Sequence, residues 1–276
     1  MKKIVLTLAV LSLSACSAIP VKNESGVVDT NFDFGAQQAS VDKKIAIVKP
    51  GGVITTYEQR VSAQNAMLNQ FGLSRPSRND NFEAVRLNYN AKVRSAFQNG
   101  VETLITRKGF TYSGPYETFD EITYGDKKNS YLAIVPQFDI KVGKANVNKE
   151  SFSSYAQETG TIKIDGSFIL KFIEPLTGQV MSQKRVDLTK LNISEEYIIQ
   201  WETKAGGSGI IGGAIGGAMK HASKPDVLVN NVDKAYADAM TKFYQGSMVQ
   251  LKKYVSAEEI QSFEADIREL KAIKRY

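Results

Sequence analysis

Cysteine and histidine are nearly missing from this chain: Cys16 is the only thiol and His221 the only imidazole in 276 residues. That scarcity removes whole classes of chemistry. With one cysteine there is no disulfide within the chain and no thiolate pair for a zinc or iron–sulfur site, so stability must come from a packed core. With one histidine, a catalytic triad would have to be assembled around His221 alone. Acidic residues are scattered over predicted helix faces and loops and are not grouped as calcium ligands, and the glycine-rich stretch lacks the Gly-Lys-Ser/Thr ending of a phosphate loop. No metal or other cofactor is therefore expected. The stretches 4–13 and 205–218 are both too short to span a bilayer, which takes roughly 20 apolar residues. The formal charge of +6 is a mild excess, and Lys2 and Lys3 supply two of those charges. It suits anionic glycans or lipid headgroups, but no dense basic patch interleaved with aromatics marks a nucleic-acid partner. What remains, 42% hydrophobic and 23% charged residues, describes an ordinary globular domain that acts by binding and is not an enzyme. A carboxylate pair assembled from distant positions is the one catalytic device left open.

The first residues carry the strongest motif. Lys2 and Lys3 precede the apolar run of residues 4–13, which leads into Leu13-Ser14-Ala15-Cys16. Positive charge, a short apolar run and small residues before a cysteine form a lipoprotein signal, in which residues 1–15 are removed and the Cys16 thiol receives the lipid. Each buried acyl methylene contributes about 0.8 kcal/mol, and stable anchoring takes more than one chain, which a triacylated cysteine supplies. Ser17 stands where an aspartate would favour inner-membrane retention. By resemblance to other Gram-negative lipoproteins, the outer membrane is the expected destination. Residues 16–41, poor in large apolar side chains, read as a flexible tether, and residues 42–276 as a single binding domain.

Periodicity predicts an α+β architecture: an antiparallel sheet with a long hairpin, packed against amphipathic helices. Ile45-Ala46-Ile47-Val48, closed by Lys49-Pro50-Gly51-Gly52, reads as a first strand inside the sheet. Val85, Tyr89, Val93, Phe97, Val101, Leu104 and Ile105 form a helical stripe that Asp80 or Asn81 can cap and Gly109 can stop. Residues 110–112 then open a second strand. Residues 131–142 alternate, and Pro136 argues for an edge or a bulge there. Ile162, Ile164, Phe168, Leu170 and Phe172 alternate in turn, Glu174-Pro175-Leu176-Thr177-Gly178 makes a turn, and residues 180–191 run back as the long hairpin. Ser223-Lys224-Pro225 has the form of a helix start, with the stripe Val229, Val232, Tyr236, Met240 and Phe243 behind it. Ser256-Ala257-Glu258-Glu259 has the spacing of a capping box for a last helix that buries Ile260, Phe263, Ile267 and Leu270.

Two segments are candidates for recognition. Lys141, Lys144 and Lys149, with Lys163, Phe152 and Tyr155 nearby, gather around the connection between two alternating strands and could hold an acidic sugar; solvated lysines on a surface loop are the plainer reading. Residues 205–218 place Gly209, Gly213 and Gly217 at helical spacing. They form either a mobile loop or a helix whose flat face meets a membrane or a partner helix. The loop has the simpler physics, because each glycine costs helix stability by up to about 1 kcal/mol.

Residues 42–50 (Asp42-Lys43-Lys44-Ile45-Ala46-Ile47-Val48-Lys49-Pro50), Tyr131-Leu132-Ala133, Ile173-Glu174-Pro175-Leu176-Thr177-Gly178, Val186-Asp187-Leu188-Thr189 and residues 263–271 resemble the neuraminyllactose-binding hemagglutinin family of bacterial lipoprotein adhesins. The resemblance implies a lipid-anchored envelope protein, at the outer membrane or a flagellar sheath, that binds sialylated glycans on host cells. The family's proposed sugar-binding stretch is a compact run of lysine and arginine before the hairpin; in the matching residues 141–161 the lysines are dispersed. The sequence thus reads as an outer-membrane lipoprotein with an adhesin-like domain. Its rival is a structural or assembly lipoprotein facing the periplasm, with no lectin activity, whose glycine segment contacts a homo-oligomeric or envelope partner. Cys16→Ala should abolish incorporation of a palmitate analogue, and unchanged labelling would end the lipoprotein reading.

Overall fold

A computed structural model describes residues 18–58, 82–152, 154–203 and 225–273. Among these residues the framework is a nine-stranded sheet built on two long strands, β5 (Leu132–Ser151) and β6 (Tyr155–Ile173). They pair antiparallel from Ala133↔Ile173 at one end to Ser151↔Ala156 at the other. Along β5 run two shorter parallel strands in succession, β2 (Lys44–Val48) and β3 (Gly51–Glu58). Along β6 run two antiparallel ones, β7 (Val180–Asp187) and β8 (Ser194–Glu202). β4 (Thr111–Tyr116) lies parallel to β2. At the other side β8 meets β9 (Leu228–Asn230), which pairs in parallel with β1 (Val21–Asn23).

One face of this sheet carries the main core. Helix α1 (Phe82–Arg107) buries Tyr89, Val93, Phe97, Val101, Leu104 and Ile105, the stripe its spacing announces. Helix α3 (Val232–Tyr254) buries Tyr236, Met240, Phe243, Tyr244, Met248 and Leu251. Phe97 joins the layers: its ring centroid lies 5.1 Å from Phe138 and 5.3 Å from Phe168 of the sheet, and 5.2 Å from Phe243 and 5.3 Å from Tyr244 of α3. Such offset and edge-on aromatic pairs add roughly 0.5–1.5 kcal/mol each beyond the area they bury. Among the described residues, the opposite face is covered at one end only. There Ala46, Val48, Ile122, Ala133, Val135 and Ile173 cluster under Tyr116 and Phe119, next to the short helix α2 (Tyr124–Asn129). This double covering explains the unbroken apolar run at residues 45–48, which is buried throughout as β2 between β4 and β5.

The helical stripes follow the sequence reading, and the hairpin turn at residues 174–178 is present. Its returning strand β7 ends at Asp187, however, and pairs only with residues 167–173 of β6. The long hairpin of the fold is β5–β6, and other parts also depart from the reading. The sheet is mixed and not antiparallel, since β1–β9, β2–β4, β2–β5 and β3–β5 are parallel pairs. Lys49-Pro50-Gly51-Gly52 interrupts the strand only briefly, and β3 resumes at Gly51 along the same partner, β5. Gly52 makes the kink: it takes φ +86, a Cβ there would collide with the Phe138 carbonyl oxygen, and the Arg94 guanidinium donates to the carbonyls of Pro50 (2.9 Å) and Gly52 (2.8 Å). Pro136 is at neither an edge nor a bulge. It faces Leu170 on one side, and on the other it sits between the last β2 pair, Ile47↔Ile134, and the first β3 pair, Gly51↔Gln137, where the ladder is interrupted. Pro225 starts no helix. The chain first forms β9, and α3 begins only at Val232. Ser256 caps the helix, its Oγ accepting from the Glu259 amide at 3.0 Å, while the Glu259 carboxylate pairs with Lys184, and the last helix is split at Phe263 into α4 (Ala257–Ser262) and α5 (Glu264–Ile273). Asp80 and Asn81 lie outside the described residues.

The expected tether differs most from its sequence reading. Over its described part, residues 18–41, it lies on the domain. Ile19 and Val28 are buried, and β1 extends the sheet. Tyr89 donates to the Gly26 carbonyl at 2.7 Å, and the amides of Gln38 and Val41 donate to the carbonyls of Arg107 and Gly109. Composition conceals this strap because its apolar side chains are few and spread out, yet Val28, Phe32, Phe34 and Val41 all pack on the main core beside the backbone bonds. Burial of Ile19 and Val28 adds roughly 1.5–3 kcal/mol for each side chain fully removed from water. A chain beginning at Asp42 should therefore melt several degrees below one beginning at Ala18 in calorimetry; equal midpoints would contradict the strap.

Candidate functional site

The outer half of the β5–β6 hairpin gathers most of the lysines singled out in the sequence, and strand geometry decides which of them can act together. Successive side chains of a strand alternate between faces. Lys141 is opposite Asp165 on the outer face, whereas Lys144 is opposite Ile162 on the core face. A regular strand would return Lys149 to the outer side. Instead β5 carries an extra residue between Ala145↔Thr161 and Asn148↔Thr159, with Asn146 at φ 52. This bulge shifts the alternation by one, so Lys149 comes opposite Glu158 on the same face as Lys144.

The consequence is a charge cluster set into the core. Lys144 Nζ donates to Glu158 Oε1 at 2.9 Å, Lys149 Nζ is 3.0 Å from Oε2, and the Tyr197 hydroxyl donates to Oε1 at 2.9 Å. Lys144 also lies 5.2 Å above the Tyr197 ring. Lys144 is 6% exposed and Glu158 8%, so this ammonium is not presented to a ligand. Burial works to raise the Glu158 carboxyl, but Lys144 first and Lys149 after it outweigh that effect and hold its pKa below the usual carboxylate value. Sequence reasoning misses Glu158 and Tyr197; the signal for the first is a carboxylate at an inward position of an alternating strand.

The outer face is polar and uncapped over the same stretch. Asp139, Lys141, Lys163 and Asp165 stand there, with Lys163 Nζ 3.4 Å from Asp165 Oδ1 and Thr55 of β3 beside Lys141. Further out, Gln157 donates to Glu150 at 2.9 Å, Gln200 donates to Gln157 at 3.2 Å, and the Val229 amide donates to Gln200 at 3.0 Å. Four strands are thereby joined by oriented amides. The three candidate lysines do not converge: Lys141 faces outward, Lys144 is buried, and Lys149 is partly exposed from the core side. Cys16, His221 and the glycine segment 205–218 lie outside the described residues. Among the described residues, no group of His, Cys, Asp and Glu has the arrangement of a metal site, and no helix is long and apolar enough to cross a membrane.

Glu158 gives this cluster a pH signature. Its folded pKa is depressed, so its stabilisation is fully present above the ordinary carboxylate value, about 4.3, and is lost as pH falls through the lower folded value. Removing one partner of a buried ion pair costs on the order of 3–5 kcal/mol. Glu158→Gln should lower the melting temperature markedly at pH 7 and flatten its decline in acid. A variant that melts like the parent across this range would show that the cluster carries no stability.

The chain has recognisable relatives. The family model described as neuraminyllactose-binding hemagglutinin precursor matches residues 53–274. A neuraminyllactose-binding hemagglutinin from Helicobacter pylori strain ATCC 700392 / 26695 is 23% identical over 193 residues, covering 66% of this chain and 70% of the relative. Another Helicobacter pylori protein of that name is 24% identical over 161 residues, covering 55% and 57%. A crystal structure described as a homolog of this hemagglutinin from Helicobacter pylori superposes with a TM-score of 0.51 at 13% identity, covering 86% of this chain and 99% of that one. At that identity the superposition speaks for the fold, a mixed sheet packed against a few helices. The family model covers well over half of the sequence, and the chain belongs to the neuraminyllactose-binding hemagglutinin family.

Proposed function

We propose that this chain is an outer-membrane lipoprotein, anchored through Cys16, whose domain binds sialylated glycans on the outer face of its sheet. The observation that carries the reading is the family match over residues 53–274, together with the relatives' name, which states neuraminyllactose binding for those proteins. The chemistry of the outer face suits such a ligand. A sialic acid presents one carboxylate among many hydroxyls. The exposed Lys141 and the half-exposed Lys163 offer ammonium donors to the carboxylate, and Asp139 and Asp165 offer acceptors to hydroxyls. The amides of Gln157 and Gln200 are already oriented by their neighbours, so less entropy is lost when a sugar replaces water. Lys144 supports this surface from behind through Glu158, and Lys149, on the core face and paired with Glu158, belongs to that support and not to the sugar contact.

Calorimetry with 3′-sialyllactose against lactose tests the proposal. Lys141→Glu and Lys163→Glu should each weaken sialyllactose binding by about tenfold, on the order of 1.4 kcal/mol, with unchanged melting. Lys144→Glu should instead lower the melting temperature. If the parent domain binds no sialylated glycan on an array, the recognition reading is wrong.

A further inference from the structure

The ends of three strands and the start of the described chain lie in one row. Tyr155 of β6 is opposite Glu202 of β8, and Ile199 of β8 is opposite Asn230 of β9. Counting back along the antiparallel strands brings Val227 level with Glu202. The Leu228 amide donates to the Pro20 carbonyl at 2.9 Å, and Val21 pairs with Leu228. Three strand spacings, about 14 Å, therefore separate β1 from Tyr155. The row carries apolar and aromatic side chains beside the exposed carboxylates of Glu202 and Asp226. Val21 is 47% exposed and Val227 45%, the Phe152 ring stacks on Tyr155 with centroids 4.5 Å apart, and Trp201 is adjacent to Glu202.

Cys16 precedes Ala18 by two residues. At no more than about 3.6 Å per residue, its Cα lies within roughly 7 Å of that of Ala18. Because residues 18–41 lie on the domain, little chain remains to hold the domain away from a membrane to which Cys16 is attached. We propose that this end of the sheet seats in the headgroup layer of the lipid bilayer, with Val21, Phe152, Tyr155 and Val227 in contact with lipid. The proposal rests on the lipidation of Cys16 proposed above. A tyrosine, with an apolar ring and one wet end, belongs at that depth. The contact is not driven by charge, since Lys22 is paired with Glu24, Lys149 with Glu158, and Asp226 and Glu202 are exposed. The opposite end, which carries Tyr124 at 72% exposure, then points away from the membrane by up to the length of β5, roughly 60 Å at 3.3 Å per residue.

The chain has one tryptophan, so its position can be moved. Lipidated protein, as Trp201→Phe/Tyr155→Trp and as Trp201→Phe/Tyr124→Trp, is reconstituted in phosphatidylcholine vesicles carrying brominated acyl chains, with and without phosphatidylglycerol. Palmitate-analogue labelling and flotation are recorded on the same samples, and circular dichroism checks the fold. Seating predicts strong quenching of the Tyr155→Trp fluorescence, none of the Tyr124→Trp fluorescence, and no strengthening by phosphatidylglycerol. Protein that is labelled and floats but shows no quenching at position 155, or equal quenching at both positions, overturns the seating and leaves the anchor standing. Absence of label overturns both.

Discussion

Two strands of 20 and 19 residues, β5 and β6, are bonded to each other over nearly their full length, which makes a scaffold much longer than any other strand described here. Shorter strands are added to each flank in succession, β2 then β3 along β5, and β7 then β8 along β6. The long helices α1 and α3 pack on one face of this scaffold through Phe97, whose ring meets Phe138, Phe168, Phe243 and Tyr244. A one-residue slip between β5 and β6 would turn the core side chains of a whole strand outward. Two local features oppose such a slip. Gly166 approaches the Asp139 carbonyl at φ +110, where a Cβ would collide, and the bulge at Asn146 fits only one alignment.

The same pairing separates two kinds of chemistry. On the core side, the bulge near Asn146 brings Lys144 and Lys149 to one carboxylate, and Tyr197 completes the set. A buried pair of this kind adds little net stability compared with apolar packing, but it is costly to break, so it ties the hairpin to β8 with specificity. On the outer side Lys163 is paired with Asp165 and Gln157 with Glu150 and Gln200, and Asp139 and Lys141 are exposed to solvent. Under the proposed function, recognition and cohesion would thus occupy opposite faces of the same two strands.

Much of this is legible in the sequence where one face of an element meets water. The stripe from Tyr89 to Ile105 and the alternation from Ile162 to Phe172 report burial directly through their periods. The parallel strands are less legible. β2 is buried on both faces and shows no alternation, and β3 begins with two glycines that mark a kink between successive strands and not the end of the strand path. The strap of residues 18–41 escapes because its backbone hydrogen bonds leave no compositional trace and its core contacts, Val28, Phe32, Phe34 and Val41, follow no strand or helix period. At the candidate site, lysine clustering is visible but its division between faces is not, since a one-residue bulge inverts the side-chain direction without marking the sequence.

If the outer face recognises sugar while the core-facing cluster only holds the strands together, backbone amide chemical shifts followed during titration with 3′-sialyllactose will separate the two. The expected perturbations are confined to the outer-face neighbourhood of Asp139, Lys141, Lys163 and Asp165, with Lys144, Glu158 and Tyr197 unmoved. Perturbations centred on Lys144, Glu158 and Tyr197, or on the α1–β4 side of the molecule, would contradict this division.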